Sequence, residues 1–536
     1  MTWPERGLVM LVAFFGLVAL RFSFVQSIWT DETTQLSGLT LGMADMVMWL
    51  ANAYPHEFNV PPDRQPPLSY IVMKGLTLLG AGELVLRWLG IAAVGSAAVI
   101  VYRTGRLLFA PGYALFAACF FLLRPEVVVF SNQIRPYPLF SVIAATALYF
   151  TIRAALADDH GTRVKSWAFA LLAAVLAVYD HFYGLMVLGT VGLTALALIV
   201  FTKESIQSIL KLLVIAVLAT LPVLPFVIAA MGVGSSGDAL PSESVSSITD
   251  AVKDIVRFGY WSIGGGPLIA ANLVALGLAM LGTAALLAVF AIGFIPLLKE
   301  SLRGNRRSRV VVCAFFSMIV GVGILLLARL LNVSNFEVLS PNYNSWLWPI
   351  VAVVFGLAAS QGQRRFVVPA VITLVAARSV SMLVLLIHAE HFTHSAGDQM
   401  NKLASDQSAE AIFYEADAAW ASPYFSTTFR KGDDFPQFLV SIDEEGRLTY
   451  QRIQDGGALI DVAEPLMTRV IVARYVNMGQ GELRKSLRSP GAALGQGLVA
   501  EKLLLEGGTL QTSLIYPSFI GARLEVIDRS NKGHPQ

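Results

Sequence analysis

Apolar runs long enough to cross a bilayer recur along the first 390 residues. They fall near 7–28, 84–109, 111–130, 134–154, 167–181, 182–202, 208–230, 267–298, 310–331, 345–360 and 366–388. A spanning helix takes about 20 such residues. The run 66–80 opens on Pro66-Pro67 and is brief, so it reads as a juxtamembrane or re-entrant helix. From about 396 charged residues become frequent, and the apolar stretches shorten. Ala411–Tyr414 and Val470–Ala473 read as short buried strands, with helical patterns around 481–488 and 497–505. The pattern predicts a polytopic α-helical membrane protein, with about eleven spans and added juxtamembrane helices over 1–390. A soluble α/β domain is expected over 396–536, of a usual domain size.

Two connections are long. Residues 29–66 include an apolar stretch, Leu39–Leu50, suited to helices lying in the interface. Residues 232–266 are rich in Ser and Gly and carry Phe258, Tyr260 and Trp261, which fits a lid over a site as well as a plain connector.

Composition agrees with this reading: 55% of the 536 residues are hydrophobic and 14% charged, and the mean hydropathy is +0.63. That excludes an ordinary soluble enzyme. The net charge of +2 carries little information, and no feature points to nucleic acid. The placement of the basic residues says more. Arg103 and Arg106, then Arg153, Arg163 and Lys165, then Lys203 and Lys211, then Lys299, Arg303, Arg306, Arg307 and Arg309, and finally Arg364 and Arg365 occupy alternate connections. With these cytoplasmic, the N-terminus is cytoplasmic and the C-terminal domain lies outside. The first run lacks a cleavage pattern and reads as a signal anchor. Cys119 and Cys313 lie in apolar runs and read as small core residues. No spacing suggests a metal site.

On that orientation several polar motifs share the outer boundary. Trp29-Thr30-Asp31-Glu32 leaves the first span. Arg64 and Gln65 precede Pro66-Pro67-Leu68-Ser69-Tyr70. Asn132, Gln133, Arg135 and Tyr137 occupy one short turn, and Asp180, His181 and Tyr183 the next. Asn342, Tyr343 and Asn344 precede the tenth span. Singly, each has a bland explanation: a snorkelling Arg, a capping carboxylate, a packed His, an interfacial Tyr. Together they describe a cavity with anionic and cationic groups against apolar walls, suited to a ligand with an anionic head and a hydrophobic tail. Guanidinium groups bind phosphate bidentately, and a carboxylate opposite can take a proton from an attacking hydroxyl.

These motifs resemble those of the GT-C glycosyltransferases, in particular the bacterial branch related to protein O-mannosyltransferases and to the aminoarabinose transferase of lipid A. Trp29-Thr30-Asp31-Glu32 resembles the acidic motif after the first span. Arg64–Tyr70 resembles a His-Pro-Pro-Leu-Tyr-Tyr element, and Leu86-Arg87-Trp88-Leu89-Gly90 with Gly105–Phe109 a second-span pattern. Ser131–Tyr137 resembles a Gln-Glu-Ala-Arg-Pro-Tyr element, and Tyr179–Gly184 a Tyr-Thr-His-Tyr-Tyr-Gly turn. The likeness is good over 1–200, loose to 390 and generic beyond. It implies a GT-C fold and a transferase drawing on a polyprenyl-phosphate-linked sugar. It makes Asp31 the base, with Glu32 beside it as a positioning or second acidic group, and Arg135 the contact to the donor phosphate. Tyr137 adjoins that contact. Gln65, Tyr70, Gln133, Asp180, His181, Tyr183, Asn342 and Tyr343 are expected to line the cavity. Gln65 stands where the family has His, Ile134 near its Glu, and Pro341-Asn342-Tyr343 where many relatives have Arg-Tyr. Arg64 or Arg329 is expected to supply the charge missing there. No cofactor is implied; a divalent ion serves some GT-C enzymes, but no ligand set for one stands out.

The leading expectation is therefore an inverting glycosyltransferase of a bacterial cytoplasmic membrane, transferring to an envelope glycan, a lipid or a protein hydroxyl. A flippase for lipid-linked sugars would place its ionisable residues nearer the bilayer midplane and show repeats. A non-catalytic envelope scaffold would tolerate loss of Asp31.

Overall fold

The computed structural model describes residues 1–26, 30–54, 63, 65–201, 206–233, 258, 273–330, 343–387, 389, 397–415, 436–453, 459–477, 498–516 and 520–530. Helix α1, Trp3–Ser23, starts earlier than the apolar run because Pro4 sits in its first turn and Thr2 and Glu5 form a capping box, the Thr2 amide donating to Glu5 at 2.8 Å. Two short helices follow, α2 (Thr30–Thr40) and α3 (Met43–Leu50), then α4 (Leu68–Leu78), a brief helix within the run 66–80. Leu36, Leu39, Met46, Trp49, Tyr70, Met73, Leu86 and Ile134 form one buried cluster. The interfacial stretch thus packs down on protein through its apolar side.

The membrane body continues with α5 (Glu83–Leu108), α6 (Pro111–Leu122), α7 (Pro125–Ser131), α8 (Tyr137–Leu156), α9 (His160–Asp180), α10 (Gly184–Phe201), α11 (Ile206–Thr220) and α12 (Leu224–Val233). It is completed by α13 (Leu273–Leu302), α14 (Arg306–Leu330), α15 (Leu347–Gln361) and α16 (Arg364–Ile387). Among the described residues eight helical segments are long and apolar enough to cross a membrane, nine if the bent pair α6–α7 is one span. Gly184–Leu198 and Leu347–Gln361 are apolar but shorter. Large apolar side chains such as Val9, Leu17, Leu172, Ile215 and Leu218 stay exposed on the outside of the body, as a lipid-facing surface requires.

Two expectations need correction. The run 111–130 is not one straight span: Pro125 cannot donate to the preceding turn, Arg124 adopts an extended conformation, and the axes of α6 and α7 diverge by 65°. Several basic residues assigned to connections are helical instead. Asp159 caps α9, accepting the Thr162 amide at 2.7 Å, so Arg163 and Lys165 fall in its first two turns. Arg306, Arg307 and Arg309 likewise open α14.

Beyond the helical body, α17 (Gly397–Asp406) leads to a seven-stranded sheet in the order β4-β3-β2-β1-β5-β7-β6. Its strands are β1 (Ala411–Glu415), β2 (Gln437–Ile442), β3 (Leu448–Ile453), β4 (Leu459–Val462), β5 (Arg469–Asn477), β6 (Thr509–Tyr516) and β7 (Ile520–Asp528). The two strands foreseen in the sequence form the parallel centre: β1 pairs with both β2 and β5, and every residue of β1 is buried. A buried strand flanked on both sides reads as continuous apolar sequence, which is why it was visible. The edges are antiparallel. Helix α18 (Leu498–Leu505) buries Val499, Ala500 and Leu503 against the sheet. The helical pattern at 481–488 lies outside the described residues, as does the long connection 232–266 apart from Gly232, Val233 and a buried Phe258; Tyr260 and Trp261 are among the residues outside.

Candidate active site

The site lies at the end of the body where α1 gives way to α2, α7 to α8, and α9 to α10, and where Tyr343–Trp346 enter α15. Its frame is an ion pair. Glu32, in the first turn of α2, is fully buried, and Arg87 of α5 grips it with Nη1 on Oε1 at 2.8 Å and Nη2 on Oε2 at 3.0 Å. The same guanidinium bonds Glu83, one turn back, and the carbonyl of Asn132. Glu32 Oε1 also accepts the Ile134 amide at 2.8 Å. Burial pushes the Glu32 carboxyl up, while the Arg87 charge and the Ile134 amide oppose that push. The pairing ties α2, α5 and the turn 132–135 together. Gly90 makes the approach possible: a Cβ there would meet the Ser131 carbonyl oxygen at 2.4 Å. Glu32 is therefore not a solvated cap at a helix end.

Arg135 follows on that turn, almost entirely buried. It is paired with Asp63, Nη1 to Oδ2 at 2.7 Å, and lies 5.9 Å from the centroid of the Tyr137 ring. The Tyr70 hydroxyl donates to the same Asp63 oxygen at 2.7 Å, and the Tyr70 ring meets Trp49 edge-on. Asp63 thus joins the Arg64–Tyr70 element to the Arg135 turn.

His181 closes the group from the C-terminal end of α9. Its centroid lies 5.7 Å from Tyr137, 5.2 Å from Phe140, 5.3 Å from Tyr183 and 5.5 Å from Tyr343. Tyr343 also faces Tyr137 and Tyr183. The tight turn that presents the imidazole depends on Gly184, where a Cβ would lie 2.2 Å from the Ala177 backbone. His181 Nδ1 accepts the Tyr183 amide at 3.1 Å, which puts the proton of the neutral ring on Nε2. Nε2 is buried and makes no hydrogen bond among the described residues, and the same is true of both Asp180 carboxylate oxygens, Gln65 Oε1 and Gln133 Oε1. Buried polar atoms are normally satisfied, so the His181 Nε2–H, on a ring set among Tyr137, Tyr183 and Tyr343, is a donor that suits a polar ligand.

The structure brings together Arg135, Tyr137, His181, Tyr183 and Tyr343 by direct contact, with Tyr70 joined through Asp63. Gln65, Gln133 and Asp180 are buried next to these in the chain. Asp31 lies in α2 and Arg329 in α14, and their side chains are not among those described; Arg64 and Asn342 lie outside the described residues. Sequence reasoning missed Asp63 and gave Arg87 no role, although an arginine inside an apolar run was a signal in itself. Among the described residues no group of three His, Cys, Asp or Glu side chains could hold a metal ion.

Known proteins can be set beside this geometry. The family described as dolichyl-phosphate-mannose-protein mannosyltransferase matches residues 63–228, from Asp63 through the turn at His181. No curated protein matches the chain in sequence. Among solved structures, ArnT from Cupriavidus metallidurans bound to undecaprenyl phosphate is similar with a TM-score of 0.52 at 12% identity, covering 98% of this chain and 99% of that one. Its apo state gives the same TM-score and identity over 99% and 100%. The S. cerevisiae protein O-mannosyltransferase Pmt1–Pmt2 complex, bound to its sugar donor, aligns over 44% of this chain and 34% of that one, at 19% identity and a TM-score of 0.32. The fold shared with ArnT along nearly the whole chain and the family match over 63–228, across the site, identify this protein as a multi-pass membrane protein of the GT-C-type fold.

Proposed function

We propose that this protein is an integral membrane glycosyltransferase that moves a sugar from a polyprenyl-phosphate donor to a hydroxyl of an envelope glycan, a lipid or a protein, on the outer side of a bacterial cytoplasmic membrane. The observation that carries the reading is the buried Arg135 turn. A guanidinium, a neutral imidazole whose Nε2–H has no partner among the described residues, and four tyrosines gather at one end of an apolar helical body. An anionic head with a hydrophobic tail suits that setting, and ArnT, which shares the fold, is known bound to undecaprenyl phosphate.

In this reading the acceptor hydroxyl attacks the anomeric carbon from the face opposite the phosphate. Asp31 takes its proton, the new glycosidic C–O bond forms, and the bond from C1 to the phosphate oxygen breaks with inversion. The lipid phosphate leaves with the bonding pair. Arg135 stabilises the charge that grows on it, an effect that is strong where water is excluded. Glu32, locked by Arg87 and the Ile134 amide, holds the helix that carries Asp31 rather than exchanging protons itself. The domain over 396–536 orients the acceptor. The test is release of free lipid phosphate in proteoliposomes offered a panel of polyprenyl-phosphate sugars with envelope extracts as acceptor. Release with at least one donor is expected; none across the panel would overturn the reading.

A further inference from the structure

A second set of charges lies away from the site, inside the membrane body. Arg378 stands 14 residues into the 24-residue helix α16, roughly 20 Å from its start. Arg124 and Glu126 occupy the break between α6 and α7. All three are buried. Ionisable groups at such depth are costly and mark function more often than chance.

Their contacts say what they hold. Arg378 Nη1 donates to the carbonyl of Phe120 at 2.6 Å, in the last turn of α6, where helical carbonyls lose their own partners. Its guanidinium lies 4.4 Å from the Phe120 ring centroid, and that ring stacks on Phe355. On the other side of the break, Arg124 lies 4.6 Å from the Trp348 ring, and Phe130, near the end of α7, stacks on the same Trp348 at 5.2 Å. Helix α7 is therefore gripped at both ends, and it is only about 10 Å long. Its far end runs straight into Asn132, whose carbonyl Arg87 binds, Ile134, whose amide Glu32 accepts, and Arg135.

We infer that Arg378 is a positioning residue for the active site: by capping Phe120 at the α6–α7 break it fixes the angle of α7, and so the place of the turn 132–135 that presents Arg135. The kinetic part rests on the reading of Arg135 as the donor-phosphate contact.

The experiment compares full-length wild type, Arg378→Met, Arg378→Lys and Arg135→Ala in nanodiscs. Hydrogen exchange is followed at 131–135 and in the C-terminal sheet, and transfer kinetics are measured against donor. Arg378→Met is expected to speed exchange at 131–135 roughly tenfold without touching the sheet, and to raise the donor KM by a similar factor with kcat less affected. Arg378→Lys, which keeps the charge and a donor, recovers part of both and serves as the probe if Arg378→Met does not fold. Unchanged exchange at 131–135 overturns the inference. So does an unchanged donor KM while Arg135→Ala raises it, because Arg378 would then only hold the fold. If Arg135→Ala itself leaves donor KM unchanged, the phosphate reading fails, and exchange alone decides whether Arg378 governs α7.

Discussion

Arg87 of α5 holds Glu32 of α2 through both carboxylate oxygens, and neither side chain is exposed. The pair joins the helix carrying Asp31 to the turn carrying Arg135, since Arg87 also binds the Asn132 carbonyl and Glu32 the Ile134 amide. Removing one partner of a buried pair leaves an uncompensated charge and costs about 3–5 kcal/mol. Glu32→Ala is expected toward the lower end, because Glu83 still pairs with Arg87. Glu32→Gln, which can still accept the Ile134 amide, should cost less. Thermal unfolding in detergent checks this: Glu32→Ala should lower the midpoint more than Glu32→Gln, and equal midpoints for both variants and wild type would deny the pair its structural role.

His181 makes aromatic contacts on several sides, yet its Nε2–H finds no partner among the described residues. A His181→Phe variant keeps the ring packing and removes the Nε2–H donor together with the Nδ1 acceptor of the Tyr183 amide. If Nε2–H binds substrate, kcat/KM should fall roughly tenfold or more, the usual worth of a hydrogen bond to a charged group. Normal kcat/KM in a folded His181→Phe protein would return this residue to packing alone.

Arg135 is paired with Asp63 while Tyr70 supports the same carboxylate. Arg135→Ala should raise donor KM by about 10–100-fold, from loss of charge-assisted hydrogen bonds to phosphate. A change confined to acceptor affinity would contradict the donor-phosphate assignment.

Much of the fold was legible because membrane spans and buried parallel strands both announce themselves as continuous apolar sequence. The central strands β1 and β5 and the segments that became α5, α8 and α16 are examples. The gathering of Arg135, Tyr137, His181, Tyr183 and Tyr343 followed from counting spans: turns separated by an even number of crossings share a side. Long-range pairing was not legible. Nothing in the run of residues says that Glu32 meets Arg87, 55 positions on, or that Asp63 meets Arg135, 72 positions on. The break at Arg124-Pro125 was hidden because both flanks are apolar, so hydropathy reads through it, although Pro125 and the buried charges Arg124, Glu126 and Arg378 all stood in the sequence.

The central claim is that Asp31 takes the acceptor proton in a transfer from a lipid-phosphate sugar. The measurement that tests it most directly compares wild type and Asp31→Asn in proteoliposomes, reading lipid-phosphate release with a donor that supports turnover. The account predicts a folded, inserted variant whose release falls ~10²–10⁴-fold, the usual share of a general base. Release by Asp31→Asn at the wild-type rate would contradict it.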